Sequence, residues 1–384
     1  MTNCTKARRV FILGAGFSKP AGFPLATELT DELLKVYEET TGKADELLQF
    51  AAHVRQLHKW LRDRHGNVIP MLNIEEFYEY ADIYAEQCRL EQHREVVGRG
   101  YGETSYALAN GLETCLSYLD EDLLAVLLKH EKVADLTKIE RFANALRPGD
   151  AVVTFNYDRL IERCLTRIGK PWSFGMKLND EERDGTIPVI KMHGSLDWAC
   201  FPRGHVGDDR REKLIFSKED LNRKEKLKPS DPMVEHEYDF ELFHILDEEP
   251  PKNPMASDIL GRPNCRWGIA GLGPRKRPSL IPGLGVVWEH ARQVLSLADT
   301  IVIVGFSFSP FDRLAQIEFA RVMMGRDQKK ASTPQVILID PALRPVDTEV
   351  SPVGRQLAKR IEEVFGSVNC HGMLHEEFDW HSLD

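Results

Sequence analysis

The chain has 384 residues, 42% of them hydrophobic and 29% charged, with a formal net charge of -10. Such a length and balance allow one large core or two smaller ones, and the acidic surplus argues against sequence-independent nucleic-acid binding by the whole surface. Residues Met1 to Lys6 lack the apolar core of a signal peptide, no apolar run reaches membrane-spanning length, and the seven scattered cysteines form no C-x-x-C pair, so a cytoplasmic protein with reduced thiols and no membrane contact is expected.

Val10 to Leu13 is a continuous apolar run, as a strand buried on both faces requires. Gly14, Gly16 and Gly22 follow, and glycines between a buried strand and a helix can bring bare backbone N–H groups to an anion such as a phosphate. Leu25, Leu29 and Leu33 recur every fourth residue and predict a helix over 25–40. Between 42 and 147 no strand is evident. Helical stripes run through Leu47 to Leu61, Ile74 to Tyr84 and Leu112 to Leu127, predicting an all-helical insertion over 42–147 broken near Gly98 to Gly102. Asn73 and Glu75 are candidate caps for the helix at 74.

Pro148-Gly149-Asp150 reads as a turn, Ala151 to Thr154 as the second buried strand, and Leu160 to Ile168 as a helix. Ile187 to Met192 is the third strand, ending at His193-Gly194. Residues 199–277 are polar and proline-rich, which predicts a second insertion of loops and short helices, anchored by a helix bearing Phe240, Leu242, Phe243 and Ile245. A short strand is expected at 279–282, a helix at 286–297 and a strand at 301–304. Ser309, Pro310 and Asp312 then read as the cap, first position and third position of a helix. The last strand is expected at 336–340 and the last helix at 353–365. Arg275-Lys276-Arg277, with Arg203, Arg210 and Arg211, reads as a solvated basic loop. The tail bearing His371, His375, Glu376, Glu377, Asp379 and His381 reads as solvated rather than metal-binding.

Strands alternating with helices imply an α/β fold with a Rossmann-like, mainly parallel sheet covered on both faces, formed by 1–41 and 148–384. Ligands of such sheets bind at the carboxyl ends of the strands. Polar residues or glycines stand at those ends: Gly14-Ala15-Gly16-Phe17-Ser18, Thr154-Phe155-Asn156-Tyr157-Asp158, His193-Gly194, Gly305-Phe306-Ser307 and Asp340. Each has a plain structural alternative. Asp158 can cap a helix, Asn156 and Asp340 can form turns, Gly305 can allow a bend, and His193 can be a satisfied strand-end residue. Lys19 breaks the dehydrogenase pattern G-x-G-x-x-G, and no Gly-Lys-Ser/Thr of a P-loop follows.

Gly-Ala-Gly-x-Ser, Thr-x-Asn-x-Asp, His-Gly and Gly-x-Ser, in that order, resemble the motifs of the sirtuin superfamily. Thr-Phe-Asn-Tyr-Asp, Lys-Met-His-Gly-Ser and Gly-Phe-Ser-Phe-Ser look like the bacterial sirtuin-like NAD hydrolases of anti-phage defence. The resemblance implies NAD+ as substrate. Gly14, Ala15 and Gly16 would cradle the diphosphate with Ser18 donating, Gly305 and Ser307 would hold the other side, and Asp340 would lie near the adenosine. Asn156 would bind the water or ribose hydroxyl, Asp158 would stand near the nicotinamide, and His193 would be the general base or position the ribose. Deacylating sirtuins carry a four-cysteine zinc module between His-Gly and Gly-x-Ser. Only Cys200 and Cys265 lie in that interval here, so no zinc is expected and water is favoured over an acyl-lysine as acceptor. The alternatives are an NAD-dependent protein deacylase and a non-catalytic NAD or ADP-ribose sensor. Family resemblance also implies a homo-oligomer and, for stand-alone members, a HerA-type ATPase partner.

Overall fold

The computed structural model describes residues 9–39, 72–98, 123–176, 185–202, 211–213, 240–245, 266–273, 281, 283–329, 331–346 and 349–383, with short helical pieces between 51 and 64. The chain divides into one unit of Met1–Phe23, Ala134–Ala270 and Arg277–Asp384 and another of Pro24–Val133 and Gly271–Lys276.

In chain order the strands are β1 (Arg9–Leu13), β2 (Ala151–Thr154), β3 (Trp172–Ser173), β4 (Ile187–Lys191), β5 (Gly194–Pro202), β6 (Arg211–Lys213), β7 (Phe240–Ile245), β8 (Arg266–Ile269), β9 (Thr300–Val304), β10 (Gln335–Ile339), β11 (Pro345–Val346), β12 (Glu349–Val350) and β13 (Asn369–His371). The helices are α1 (Ala15–Ser18), α2 (Ala26–Glu39), α3 (Ile74–Gly98), α4 (Thr137–Ala145), α5 (Leu160–Arg167), α6 (Leu284–Leu297), α7 (Arg313–Gln328) and α8 (Pro352–Phe365).

A seven-stranded sheet in the order β13-β10-β9-β1-β2-β4-β3 forms the centre of the first unit. Every neighbouring pair is parallel. This is the Rossmann-like α/β fold that the alternating pattern predicts. Because successive side chains point to opposite faces, each strand feeds two cores. Val10, Ile12, Val153, Ile301, Ile303 and Leu338 join one cluster with Val287, Ala291, Phe319, Leu357 and Ile361 from α6, α7 and α8. On the opposite face Phe11 meets Phe142 of α4 edge-on, with ring centroids 5.2 Å apart, and also meets Trp380 at 6.1 Å.

The register makes the strand ends flush. Lys191 is opposite Thr154, Thr154 opposite Leu13, Leu13 opposite Val304, Val304 opposite Ile339, and Ile339 opposite His371. The residues after this row therefore make a level rim. β2 and β9 flank β1 on opposite sides, so the crossover direction reverses at β1, where sheets of this kind open a crevice.

A second, four-stranded sheet in the order β6-β7-β5-β8 grows directly from Gly194, its pairs antiparallel. It corrects two expectations. Phe240–Ile245 is strand β7 rather than a helical anchor, and the described parts of 199–277, expected to be loops and short helices, hold the end of β5 and the strands β6, β7 and β8. Gly194 has a φ of +85°, and a side chain there would collide with the Gly268 backbone, so the turn from rim to second sheet requires glycine. Of the expected strand at 279–282 only Ile281 is described, buried and in a bend. Of the expected basic loop only Arg211 is described, in strand β6, while Arg203, Arg210 and Arg275-Lys276-Arg277 lie outside the described residues.

The second unit contains α2, α3 and a helix over 123–133. Asn73 caps α3 as expected, but its reciprocal partner is Glu76 and not Glu75. Asn73 Oδ1 accepts from Glu76 N–H at 2.9 Å, and Glu76 Oε2 accepts from Asn73 N–H at 3.1 Å. Among the described residues no helix is long and apolar enough to cross a membrane.

The tail is solvated only in part: Glu377, Asp379 and His381 are exposed as expected, but the residues between them turn inward. His375, Phe378 and Trp380 are 2%, 4% and 3% exposed, with Trp380 packed edge-on against Phe142 at 4.9 Å. Burial pulls His375 down to about 4. Among the described residues no three His, Cys, Asp or Glu side chains are grouped to hold a metal.

Candidate functional site

The rim is built from two interlocked glycine loops. Gly14 N–H donates to Val304 O at 3.1 Å and Gly16 N–H to Gly305 O at 2.9 Å. A side chain on Gly14 would sit 2.6 Å from Gly305 O, and one on Gly16 would sit 2.7 Å from Gly305 Cα. These glycines thus first let the β1 loop and the β9 loop touch. Helix α1 and a short turn at Lys19–Ala21 follow β1 directly, so the expected helix at 25–40 is not the element behind the loop. His375 stacks on Phe17 of this loop with centroids 4.5 Å apart.

Asn156 is locked into the β1 loop. Its amide nitrogen donates to Gly14 O at 2.9 Å and to Ser18 Oγ at 3.0 Å. Ser18 Oγ in turn donates to Asp158 Oδ2 at 2.7 Å, and Asp158 Oδ1 accepts from Leu160 N–H at 3.1 Å. Both amide hydrogens of Asn156 are spent in this way, so Oδ1 is the atom it presents as an acceptor. Both oxygens of Asp158 are engaged inside the protein, where it opens α5 and orients Ser18.

Two side chains behind this chain carry no role in the sequence reading. Lys191 is wholly buried and donates to Glu162 Oε1 at 2.9 Å and to the Asp158 carbonyl. A lysine ending the apolar run Ile187 to Ile190 is itself a signal of a buried ionic contact. Burial pushes the carboxyls of Asp158 and Glu162 up, outweighing the pull of the Lys191 ammonium.

His193 is 4% exposed and lies beside Phe155, edge-on at 5.0 Å, while Phe155 stacks on Phe306 at 4.1 Å. An aromatic floor therefore joins the β2, β4 and β9 ends. Asp312, expected at the third helical position, instead stands just before α7 and makes no cap bond to it. Its Oδ1 lies 3.6 Å from His193 Nε2 instead. Ser309 does cap, accepting from Phe311 N–H at 3.3 Å.

Ser307 is exposed between buried Phe306 and Phe308. Phe308 has a φ of +47°, a left-handed conformation costly for a bulky side chain, and this kink holds both rings inward while Ser307 faces out. At the far side, Gly305 N–H continues the ladder to Ile339 O at 3.1 Å, and Asp340 Oδ1 accepts from Ala342 N–H at 2.8 Å. Burial raises the Asp340 carboxyl.

The sheet thus brings Gly14, Gly16, Ser18, Asn156, Asp158 and Gly305 into one bonded cluster, with His193 joined through the aromatic floor and Asp340 one strand further along. Such an arrangement offers a crevice, an amide oxygen acceptor and an imidazole, which are the parts needed to orient and deprotonate a nucleophile. Residues 150–239 match the family model of the SIR2-like domain. A search of the curated proteins finds no match to the chain.

Proposed function

We propose that the chain is an NAD+ hydrolase that releases nicotinamide and ADP-ribose, acting as an anti-phage defence effector by depleting NAD+. The SIR2-like match over 150–239 supports NAD-dependent chemistry, and it includes Asn156, Asp158 and His193. The observation that carries the reading is the fixed amide of Asn156, whose nitrogen is held by Gly14 O and Ser18 Oγ and whose oxygen is left as an acceptor at the strand rim.

In this reaction the bond between ribose C1′ and the pyridinium nitrogen breaks, and its electron pair leaves with neutral nicotinamide. Water adds its oxygen to C1′, and its surplus proton passes to His193 and then to solvent. Asn156 Oδ1 accepts a hydrogen bond from that water or from a ribose hydroxyl, which fixes the approach. Gly14, Ala15, Gly16, Gly305 and Ser307 line the dinucleotide path, with Asp340 toward the adenosine. Ser18, buried and donating to Asp158, holds Asn156 from behind instead of donating to the diphosphate.

Purified protein incubated with NAD+ is expected to release nicotinamide and ADP-ribose, read by chromatography, without an acylated peptide. Cleavage only in the presence of an acyl-lysine peptide would make the chain a deacylase. Tight NAD+ binding with no cleavage would make it a sensor.

Self-association is part of the proposal, with a HerA-type ATPase as candidate partner. Ile83 and Leu90 of α3 are 58% and 61% exposed and one heptad apart. Leu90→Glu is expected to lower the oligomer mass in light scattering. An unchanged mass would remove α3 as the contact.

A further inference from the structure

Asp312 is 6% exposed and makes no side-chain cap bond to the helix that follows it. Asp312 N–H donates to Ser309 O at 2.8 Å, Ser309 caps the turn, and α7 begins without a side-chain bond from Asp312. A buried charge of this kind is retained at a cost unless it serves another group. The group it faces is His193, with Oδ1 3.6 Å from Nε2 and both side chains almost wholly buried, at 6% and 5%.

His193 is fixed on its other sides. Its carbonyl accepts from Ala270 N–H at 2.8 Å, and its ring lies against Phe155 and, at 6.2 Å between centroids, Tyr157. Among the described residues, titratable groups that stand beside the imidazole include Asp312 from the turn before α7 and Tyr157 from the segment after β2. The Tyr157 hydroxyl is engaged, donating to Ala270 O at 2.7 Å. Asp312 therefore supplies the charge. A carboxylate at this separation in a water-poor site favours a protonated imidazole and orients the ring that carries the proton.

We propose that Asp312 is the positioning residue for His193, holding its ring and stabilising the imidazolium formed when His193 takes the proton of the attacking water. Asp312 stays ionised throughout, and the proton leaves His193 for solvent after nicotinamide departs. This proposal rests on the hydrolase reading for its kinetic part alone.

The test uses the full chain and the variants Asp312→Asn and Asp312→Glu, with two readouts. The first is the pH dependence of nicotinamide release. The second is the NMR titration of the His193 ring, assigned with His193→Gln, which needs no turnover. Asp312→Asn is expected to lower kcat/KM by about tenfold to a hundredfold with KM little changed. The acid limb of the profile and the His193 midpoint should both fall by about one pH unit, because the lost carboxylate no longer favours the imidazolium. Asp312→Glu keeps the charge and should recover most of both. A His193 midpoint unmoved in Asp312→Asn, or a Glu variant as impaired as the Asn variant, would overturn the proposal. A shifted midpoint in a protein that leaves NAD+ uncut would preserve the pair and sink the hydrolase reading instead.

Discussion

The two ends of the parallel sheet hold buried charge in opposite ways. At the amino end Arg9 and Asp150 form a two-pronged pair, Nε to Oδ1 at 3.0 Å and Nη2 to Oδ2 at 2.6 Å. Ala145 O adds a bond to Arg9 Nη2 at 2.9 Å, and Arg147 N–H donates to Asp150 Oδ2 at 2.7 Å. At the carboxyl end one ammonium, Lys191, stands among Asp158, Glu162 and Asp197, and Glu162 Oε2 has no partner among the described residues. Asp197 departs from its neighbours. Burial pushes its carboxyl up, but the His244 hydrogen bond and nearby charges outweigh that and hold it below the usual range. Charge at the amino end is closed and serves cohesion. Charge at the carboxyl end is under-neutralised, and through Asp158 it holds Ser18, which in turn holds Asn156, the residue proposed to orient the attacking water.

The sharpest break of this contrast is chemical. Asn156→Ala and His193→Ala are each expected to cut nicotinamide release by about a hundredfold to ten-thousandfold while melting close to wild type. Either variant retaining wild-type turnover would remove that residue from the mechanism. Arg9→Met probes the other end, stranding a buried carboxylate. It should cost about 3–5 kcal/mol in urea unfolding, with turnover per folded chain unchanged. Loss of turnover without loss of stability would erase the distinction between the ends.

The smallest effect is one of pH. A carboxyl whose folded pKa is raised binds its proton more tightly when folded, so it weakens the fold at neutral pH. That penalty is relieved as pH falls through the folded value toward the ordinary carboxylate range. Asp158 and Glu162 behave so, whereas Asp197 withdraws stability only further down, below the usual range. Lys191→Met removes the cation that restrains the first two, so its melting temperature should gain more than wild type's, by a few degrees, between pH 7.5 and about 5.5. Parallel melting curves for the two proteins would show that Lys191 does not set these carboxyls.

The five inner strands β1, β2, β4, β9 and β10 were legible because they are apolar runs ending in glycine or polar residues, and flush register turns those endings into a rim. The edge strands Trp172–Ser173 and Asn369–His371 are too short and polar to show in the sequence. The second sheet was not. Phe240–Ile245 places apolar residues where a helix and a strand agree, and six residues are too few for period to decide. Asp312 sits where a cap belongs, so a local reading assigns it locally, yet its partner His193 is distant in the chain. The tail misled in the same way. Phe378 and Trp380 are isolated among charges, and it is Phe11 and Phe142, far upstream, that pack against Trp380, with Phe378 against Trp380 in turn.

The contact of His375 with Phe17 has a consequence for synthesis. Strand β1 emerges from the ribosome early, but both its neighbours and the ring that backs its loop arrive late, with β9 at Thr300–Val304 and the stacking partner at residue 375. Pairings this distant in sequence form only when the intervening chain is available. A nascent chain therefore carries the glycine loop and Asn156 long before it can assemble them. An enzyme that consumes NAD+ would in this way be inert until translation has passed His375, and fragments ending before that point should bind and cleave nothing.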